Sequence, residues 1–403
     1  MLRCFSLLVL LAVSAAPQAQ TIPPAGSDDT FDVATWNIEW FGSSQFGPSN
    51  ESLQQANVAD VIAQSEVDVW ALQEIASSSA FDDLLGALGP DWAGMRAPSG
   101  ADQRLAFVYR EDAVQVFSLE EIEEGMDSFD FAGRLPYQLH VQADTNTELY
   151  ILTVHMKAGD TSSDYSRRVN ASQQLKAYTD DLLAGGAGVV ILGDLNDELL
   201  ESISGNPFSP YANFLADDDY AFLTEPFDQP GDSDDENTYC AFYDDCEGSF
   251  ASVIDHIILS QNVVPDYLDG SVGRYTALLD AFDAFGGEFV DTTSDHLPVF
   301  AQFSYSAVAN EPDVAGRVFG LGAPYPNPFT DAATLSYTLD RTGPVRLELF
   351  DALGRRMSVI EDEARPAGTY RVRFNGDALP PGLYVVRLTA GDQVATRRLV
   401  RGT

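Results

Sequence analysis

Between Phe31 and Ser304 the chain alternates strand-like with helix-like stretches, and that order constrains its fold more than any other feature. FDVATWNIEWF (31–41) reads as a strand, ESLQQANVADVIAQS (51–65) as an amphipathic helix, and VDVWALQEI (67–75) as a buried strand. RLAFVYR (104–110), VQVFSLEEI (114–122), LPYQLHVQA (135–143) and ELYILTVHMK (148–157) follow as consecutive strands, rich in β-branched and aromatic residues. SRRVNASQQLKAYTDDLLA (166–184) is a helix stopped by Gly185-Gly186, and GVVILGDLN (188–196) is a strand running into a polar loop. After an acidic, turn-rich segment (225–249), ASVIDHIILS (251–260) and SDHLPVFAQFS (294–304) supply two more strands. Mixed strands with helices between them predict an α/β fold in which two sheets pack face to face with helices outside.

A chain of 403 residues suits two domains, one of them large. We expect the large one over 28–305, a linker over 306–321, and a second domain over 322–403. There TLSYTL, VRLELFD, YRVRF, LYVVRLTA and VATRRLV are short alternating strands between Gly and Pro turns, the pattern of a small C-terminal β-sandwich. Charge changes at the same place. Residues 312–403 hold 12 Lys and Arg against 10 Asp and Glu, so of the net charge of −40 the first 311 residues carry −42. Such acidity favours solubility in concentrated salt, which predicts a halophilic setting, and it argues against a broad basic platform for nucleic acid.

Residues 1–20 read as a signal peptide, with Arg3 ahead of an apolar run from Phe5 to Val13 and cleavage expected between Ala16 and Thr21. Cys4 precedes that run, unlike a lipoprotein cysteine, and no other stretch is long and apolar enough to cross a bilayer. Stable membrane insertion is therefore not expected. In the oxidising compartment that export implies, Cys240 and Cys246 close a small disulfide loop; a metal reading of the pair is weaker, because zinc motifs bring more cysteine or histidine.

The chemistry-bearing residues stand at strand ends, where a sheet can aim them into a cleft. They are Asn37, Glu74, His155, Asp194 with Asn196, Asp255, and Asp295 with His296, whereas His140 lies inside an alternating strand. Mg²⁺, Mn²⁺ and Ca²⁺ take oxygen ligands, which Asn37, Glu74 and Asp295 can supply. A carboxylate such as Asp194 can orient a water while Asn196 fixes the geometry, and a histidine bonded through its other nitrogen to a buried Asp can move the proton; Asp255 and His296 could form such a pair. Outside the tail, basic residues are scarce, yet Arg110, Arg134, Lys157, Arg167 and Arg168 fall in or near these segments, as a focused phosphate site would require. Singly, each residue has an ordinary alternative: Asn37 caps a turn, Glu74 ends a strand in solvent, and a basic residue neutralises a neighbouring carboxylate.

In order, WNIEWF, LQE, VYR, RLPY, HMKAG, GDLND, IDHIILS and SDHLPVF resemble the successive motifs of the endonuclease/exonuclease/phosphatase superfamily, over roughly 30–305. The resemblance implies a four-layered α/β sandwich and a metal-dependent phosphoric ester hydrolase. It puts Asn37, Glu74 and Asp295 at the metal, Asp194 and Asn196 on water and phosphate, and His296 as the catalytic histidine oriented by Asp255. His155 matches the second catalytic histidine of deoxyribonuclease-like members, where abasic-site endonucleases carry tyrosine, and HMKAG before an RR-containing helix looks most like secreted bacterial nucleases. The acidic insertion 225–249 departs from the pattern. YPNPF, LFDALGRRM, AGTYRVRFNG, LPPGLYVVRL and the basic end RRLVRGT resemble the sorting domain of type IX secretion in Bacteroidetes-like bacteria, which implies export and engagement of that secretion machinery. The expectation is a secreted or surface nuclease using Mg²⁺, or Mn²⁺ or Ca²⁺ in its place, with nucleic acid as substrate. Two alternatives stay open: a phosphodiesterase or phosphatase acting on phospholipid, phosphoinositide or nucleotide, and a non-catalytic surface-binding protein. The tail has its own alternative, a passive sandwich that binds a partner such as carbohydrate.

Overall fold

The computed structural model describes residues 21–143, 148–228, 237–240, 252–283, 289–304, 319–322, 324, 329, 332–339, 341–351, 354–365, 368–376, 379–391 and 393–402. The expected signal peptide, Cys246 and most of the expected linker lie outside the described residues.

One sheet contains β1 (Thr30–Phe41), β2 (Val69–Ile75), β3 (Trp92–Arg96) and β4 (Arg104–Arg110). The second contains β5 (Val114–Glu121), β6 (Tyr137–Ala143), β7 (Glu148–His155), β8 (Gly188–Asp194), β9 (Tyr220–Phe222) and β10 (Asp255–Ser260), and β11 (Gly273–Arg274) and β12 (Val299–Ser304) return to the first. Strand orders are β11-β12-β1-β2-β4-β3 and β5-β6-β7-β8-β10-β9. β1 runs parallel to β2 and antiparallel to β12, with Thr30 opposite Ser304; β8 runs parallel to β7 and antiparallel to β10.

Two-residue alternation sorts each strand between two cores. Phe31 and Val33, Val69 and Ala71, Leu149 and Ile151, Val190 and Leu192, and Ile257 and Leu259 share one cluster, so these faces of the two sheets pack together. The opposite face of the first sheet (Ala34, Trp36, Trp70, Leu72) is covered by α1 (Glu51–Gln64), α2 (Ser78–Leu88), α5 (Ala277–Asp283) and α6 (Phe289–Thr292). That of the second (Leu152, Val154, Val189, Ile191) is covered by α3 (Ser162–Ala184) and α4 (Ala212–Leu215). The result is four layers, helix, sheet, sheet and helix. Local chemistry sets the helix starts: Asn50 and Ser77 accept from backbone N–H groups of α1 and α2, and a Thr161–Asp164 capping box starts α3 four residues before the sequence pattern did.

Toward one end of the space between the sheets the apolar faces give way to an uncharged polar layer. Gln73 Nε2 donates to Thr35 Oγ1 at 3.0 Å and to Thr153 Oγ1 at 2.9 Å, tying β1 and β2 to β7 across the sandwich. The next residues on those same faces are Asn37 and His155.

In the C-terminal part, β13 (Gly320–Leu321), β14 (Ala332–Leu339) and β17 (Gly368–Asn375) form one sheet, and β16 (Arg356–Arg365), β15 (Gly343–Asp351), β18 (Gly382–Ala390) and β19 (Gln393–Arg401) another. Leu335, Tyr337, Leu347, Leu349, Val386, Leu388 and Leu399 join the two in one core, as a β-sandwich requires. No helix among the described residues is long and apolar enough to cross a membrane.

Candidate active site

Pairing alone lines up part of the site: β7, β8 and β10 place His155 opposite Asp194 and Asp194 opposite Asp255. All three are buried and belong to strand faces directed at the other sheet. From that sheet, β1 contributes Asn37. Glu74 breaks the alternation: after Trp70 and Leu72 it should turn toward the helices, but its φ of 64° and the register shift between Leu72 and Ile75 rotate it into the cleft. Of seven non-glycine residues with positive φ among those described, Glu39, Trp40, Glu74 and Asn196 gather here. Such backbone is costly and persists where the surroundings hold it in place.

The polar groups form one connected set. Asn37 Nδ2 donates to Asp194 Oδ2 at 3.0 Å and to Glu74 Oε1 at 3.3 Å, and Trp40 N donates to Glu74 Oε2 at 3.0 Å. Asn196 N donates to Asp194 Oδ1 at 2.9 Å, and its side-chain amide to Met156 O at 3.3 Å. His155 Nε2 stands 3.4 Å from Asp194 Oδ2 and 3.8 Å from Glu74 Oε1. His296 Nδ1 lies 2.8 Å from Asp255 Oδ2, leaving Nε2 directed at the cleft, 3.9 Å from Asp295 Oδ1. A second layer fixes that dyad: Thr238 Oγ1 donates to Asp255 Oδ2 at 2.8 Å, Trp36 Nε1 donates to His296 O at 2.9 Å, and the Tyr239 ring lies 5.0 Å from the imidazole.

Glu39, absent from the sequence-derived set, enters the same cluster: its Oε2 accepts from Asp295 N at 3.2 Å. The only signal in WNIEWF was the nearness of Glu39 to Asn37, because the positive φ of Glu39 and the register shift after Asn37 break the strand alternation there. Thr238 and Tyr239 could not be found that way, lying in an acidic segment with no periodicity.

Burial and the crowding of carboxylates hold protons on the acids. Burial, then the neighbouring Asp295, pushes Glu39 up to about 8; burial, then Asp255, pushes Asp194 up to about 7; burial pushes Asp295 up to about 6 against the pull of His296. Burial, with Arg134 nearby, drives His155 well below its ordinary value. Burial also opposes charge on His296, but the Asp255 carboxylate overrides it and holds the imidazole well above its usual range. A divalent cation fits this donor set. Carboxylate oxygens in excess of nearby positive charge are what Mg²⁺, Mn²⁺ and Ca²⁺ take, and binding one would relieve the crowding. Asp194, Asp255 and His296 offer ligand atoms within 4.8 Å of one another. Asp255 and His296 already hold each other, so Glu39, Glu74 and Asp295, with the amide oxygen of Asn37, are the groups that could hold the cation.

The basic residues divide. Arg134 is buried beside the site, donating to His155 O at 3.1 Å and Met156 O at 2.8 Å, within electrostatic reach of Glu74 and Asp194. Lys157 pairs with Asp164 at 3.1 Å, and Arg167 donates to Phe129 O and covers the Phe129 ring. Arg168 is fully buried against Asp197 at 2.8 Å and braces the loop after His155 through Lys157 O and Gly159 O. The structure does not bring Arg110 to the site: β4 pairs Arg104 with Ile75, so Arg110 emerges at the opposite end of the sheet, among Asp28, Asp68 and Asp112. Its expected phosphate role is corrected to ion pairing. His256 is buried between Thr224 Oγ1 and Asp197 O, and His140 stacks on Tyr150 beside Glu148. Cys240 is disulfide-bonded; Cys246, its expected partner, lies outside the described residues.

The Endonuclease/Exonuclease/phosphatase family model matches residues 34–296, and the secretion system C-terminal sorting domain matches residues 323–401. The latter assigns the protein to type IX export, to the cell surface or the extracellular space. Similar solved structures include humanized D. rerio TDP2, with 15% identity over 69% of this chain and 100% of that one and a TM-score of 0.47. A Bacteroides thetaiotaomicron endonuclease/exonuclease/phosphatase family protein has 17% identity over 69% and 98% of the chains and a TM-score of 0.48. The human Nocturnin catalytic domain has 13% identity over 69% and 94%, with a TM-score of 0.48. No curated protein matches the chain.

Proposed function

The chain belongs to the endonuclease/exonuclease/phosphatase family, whose members are metal-dependent phosphoric ester hydrolases, and on that premise we propose that it is an exported nuclease cleaving extracellular DNA or RNA. The observation that carries the proposal is the convergence of the Asp255–His296 dyad, Asp194 and His155 on one cleft beside an oxygen-rich cation site. Glu39, Glu74, Asp295 and Asn37 would hold the cation, most simply Mg²⁺. When bound, such a cation offsets charge building on the phosphoryl oxygens and acidifies water.

The protein's own groups do the rest. Asp194 has one oxygen tied to Asn37 and the other to Asn196 N, so its carboxylate is fixed in orientation and can hold a water for in-line attack. Asp255 accepts the Nδ1 proton of His296 and thereby sets its tautomer, which leaves Nε2 to hold or deliver a proton at the reacting oxygens. His155 and His296 share the proton traffic from opposite sides of Asp194. Arg134, immobilised by two backbone carbonyls, adds fixed positive charge for the phosphate.

The test incubates the mature protein with plasmid DNA, RNA, sphingomyelin and an inositol phosphate, each with Mg²⁺ and with EDTA, from low to molar salt. Cleavage of nucleic acid that EDTA abolishes is expected. Cleavage of lipid or inositol phosphate alone would overturn the nuclease reading while leaving the hydrolase chemistry intact.

A further inference from the structure

Phe46 is 55% exposed, yet its position is tightly specified. Its ring lies 4.6 Å from that of Trp40, at an interplanar angle of 33°. The loop carrying it folds back on β1: Ser43 N donates to Trp40 O at 2.8 Å, and Ser43 Oγ accepts from Phe46 N at 3.2 Å. Gly47, with a φ of 77°, packs so closely that a side chain there would meet Glu39 O at 2.7 Å. Trp40 is in turn fixed to the site, because its backbone N–H donates to Glu74 Oε2. Apolar burial does not explain a ring that is more than half in water, so the order of this loop points outward.

Phe129, 65% exposed, is a second such ring, capped by the Arg167 guanidinium 4.2 Å from its centroid. Arg134 lies within electrostatic reach of both Glu74 and Arg167. The bare ring thus stands on a loop tied to Glu74 through Trp40, and the cation-capped ring on the separate loop that Arg167 covers.

We infer that Trp40 and Phe46 form a stacking platform for an unpaired base next to the scissile phosphate, so that the preferred substrate is single-stranded nucleic acid or a frayed strand end. The inference rests on the nuclease reading. Two physical arguments select this occupant. A ring in water offers a π-face to any base, whereas a paired base in duplex has both faces covered by its neighbours. With a net charge of −40, the protein also cannot draw much affinity from phosphate contacts, and stacking is a contribution that salt does not screen away. With so few cations near the cleft, binding of single strands falls only shallowly with salt.

The experiment measures kcat and KM with Mg²⁺ on a single-stranded oligonucleotide, on its duplex, and on the same strand carrying one base-free sugar beside the scissile bond. The wild type is compared with Phe46→Ala, Phe46→Leu and Phe46→Tyr. Thermal unfolding checks that each variant folds, and anisotropy in EDTA reads binding without turnover. Phe46→Ala and Phe46→Leu should raise KM and weaken binding of the intact single strand by roughly five- to a hundredfold. Phe46→Tyr should restore both, and none should affect the strand lacking that base. Equal KM values for wild type and Phe46→Ala on an intact single strand, or a wild-type preference for duplex, would overturn the platform and leave the nuclease reading standing. A wild type that cleaves no oligonucleotide but hydrolyses another phosphate ester would overturn both.

Discussion

At the scale of single residues, the dyad and the fixed carboxylate should dominate turnover. His296→Ala and Asp194→Ala are each expected to lose at least about 10²-fold in kcat while far-ultraviolet circular dichroism stays unchanged; near-normal rates in either would show that the groups are misassigned. Asp255→Asn keeps the shape of the dyad but removes the charge that holds the imidazole proton. The His296 resonances should then titrate at lower pH by NMR, and an unmoved midpoint would exclude Asp255 as the cause. Most of these residues were legible in the sequence because Asn, Asp, Glu and His at strand ends are conspicuous. Glu39 was obscured by the aromatic residues around it, and Arg110 misled because proximity to a motif in sequence carried it along a strand in the wrong direction.

At the scale of elements, strand pairing places the site, and its tolerances are small. Gly193 precedes Asp194 on β8, and a side chain there would collide with the Val154 carbonyl of β7. Gly193→Ala should cost about 1–3 kcal/mol of unfolding free energy in urea, and should also lower kcat by displacing Asp194; an unchanged urea midpoint would mean that the strands can part without loss. The central strands were readable because burial on both faces leaves continuous apolar runs, as in β2 and β8. Others were not. β16 is largely exposed and rich in Arg, Glu and Asp, so alternation left little trace, and α2 is short and follows β2 after only two residues, so its period had little room to show. The bulge at Glu74 is invisible to any strand pattern, since it consists in breaking one.

For the molecule as a whole, charge sets the conditions under which it holds together. Burial pushes Asp32 up to about 6 and Asp68 up to about 7 at the end of the sandwich away from the site. Both are raised in the folded state, so their contribution to stability is present below about pH 4 and is lost as pH rises through 6 to 7. Asp68→Asn should flatten that part of the curve of urea midpoint against pH, measured in EDTA; an unaltered slope would place the titration elsewhere. The first 311 residues also repel themselves through a net charge of −42. Raising ionic strength from about 0.01 M, where charges act over about 30 Å, to about 1 M, where they act over about 3 Å, should raise the melting temperature. A constant melting temperature would remove self-repulsion as a limit on stability.

The pairing of β1 with β12 couples the two ends of the catalytic fold, for Asn37 lies on the first strand and His296 stands just before the last. A ribosome-bound chain that has delivered Asn37, Glu74, His155 and Asp194 still lacks both members of the Asp255–His296 dyad. The set of site residues is thus complete only when the final strand has docked against the first.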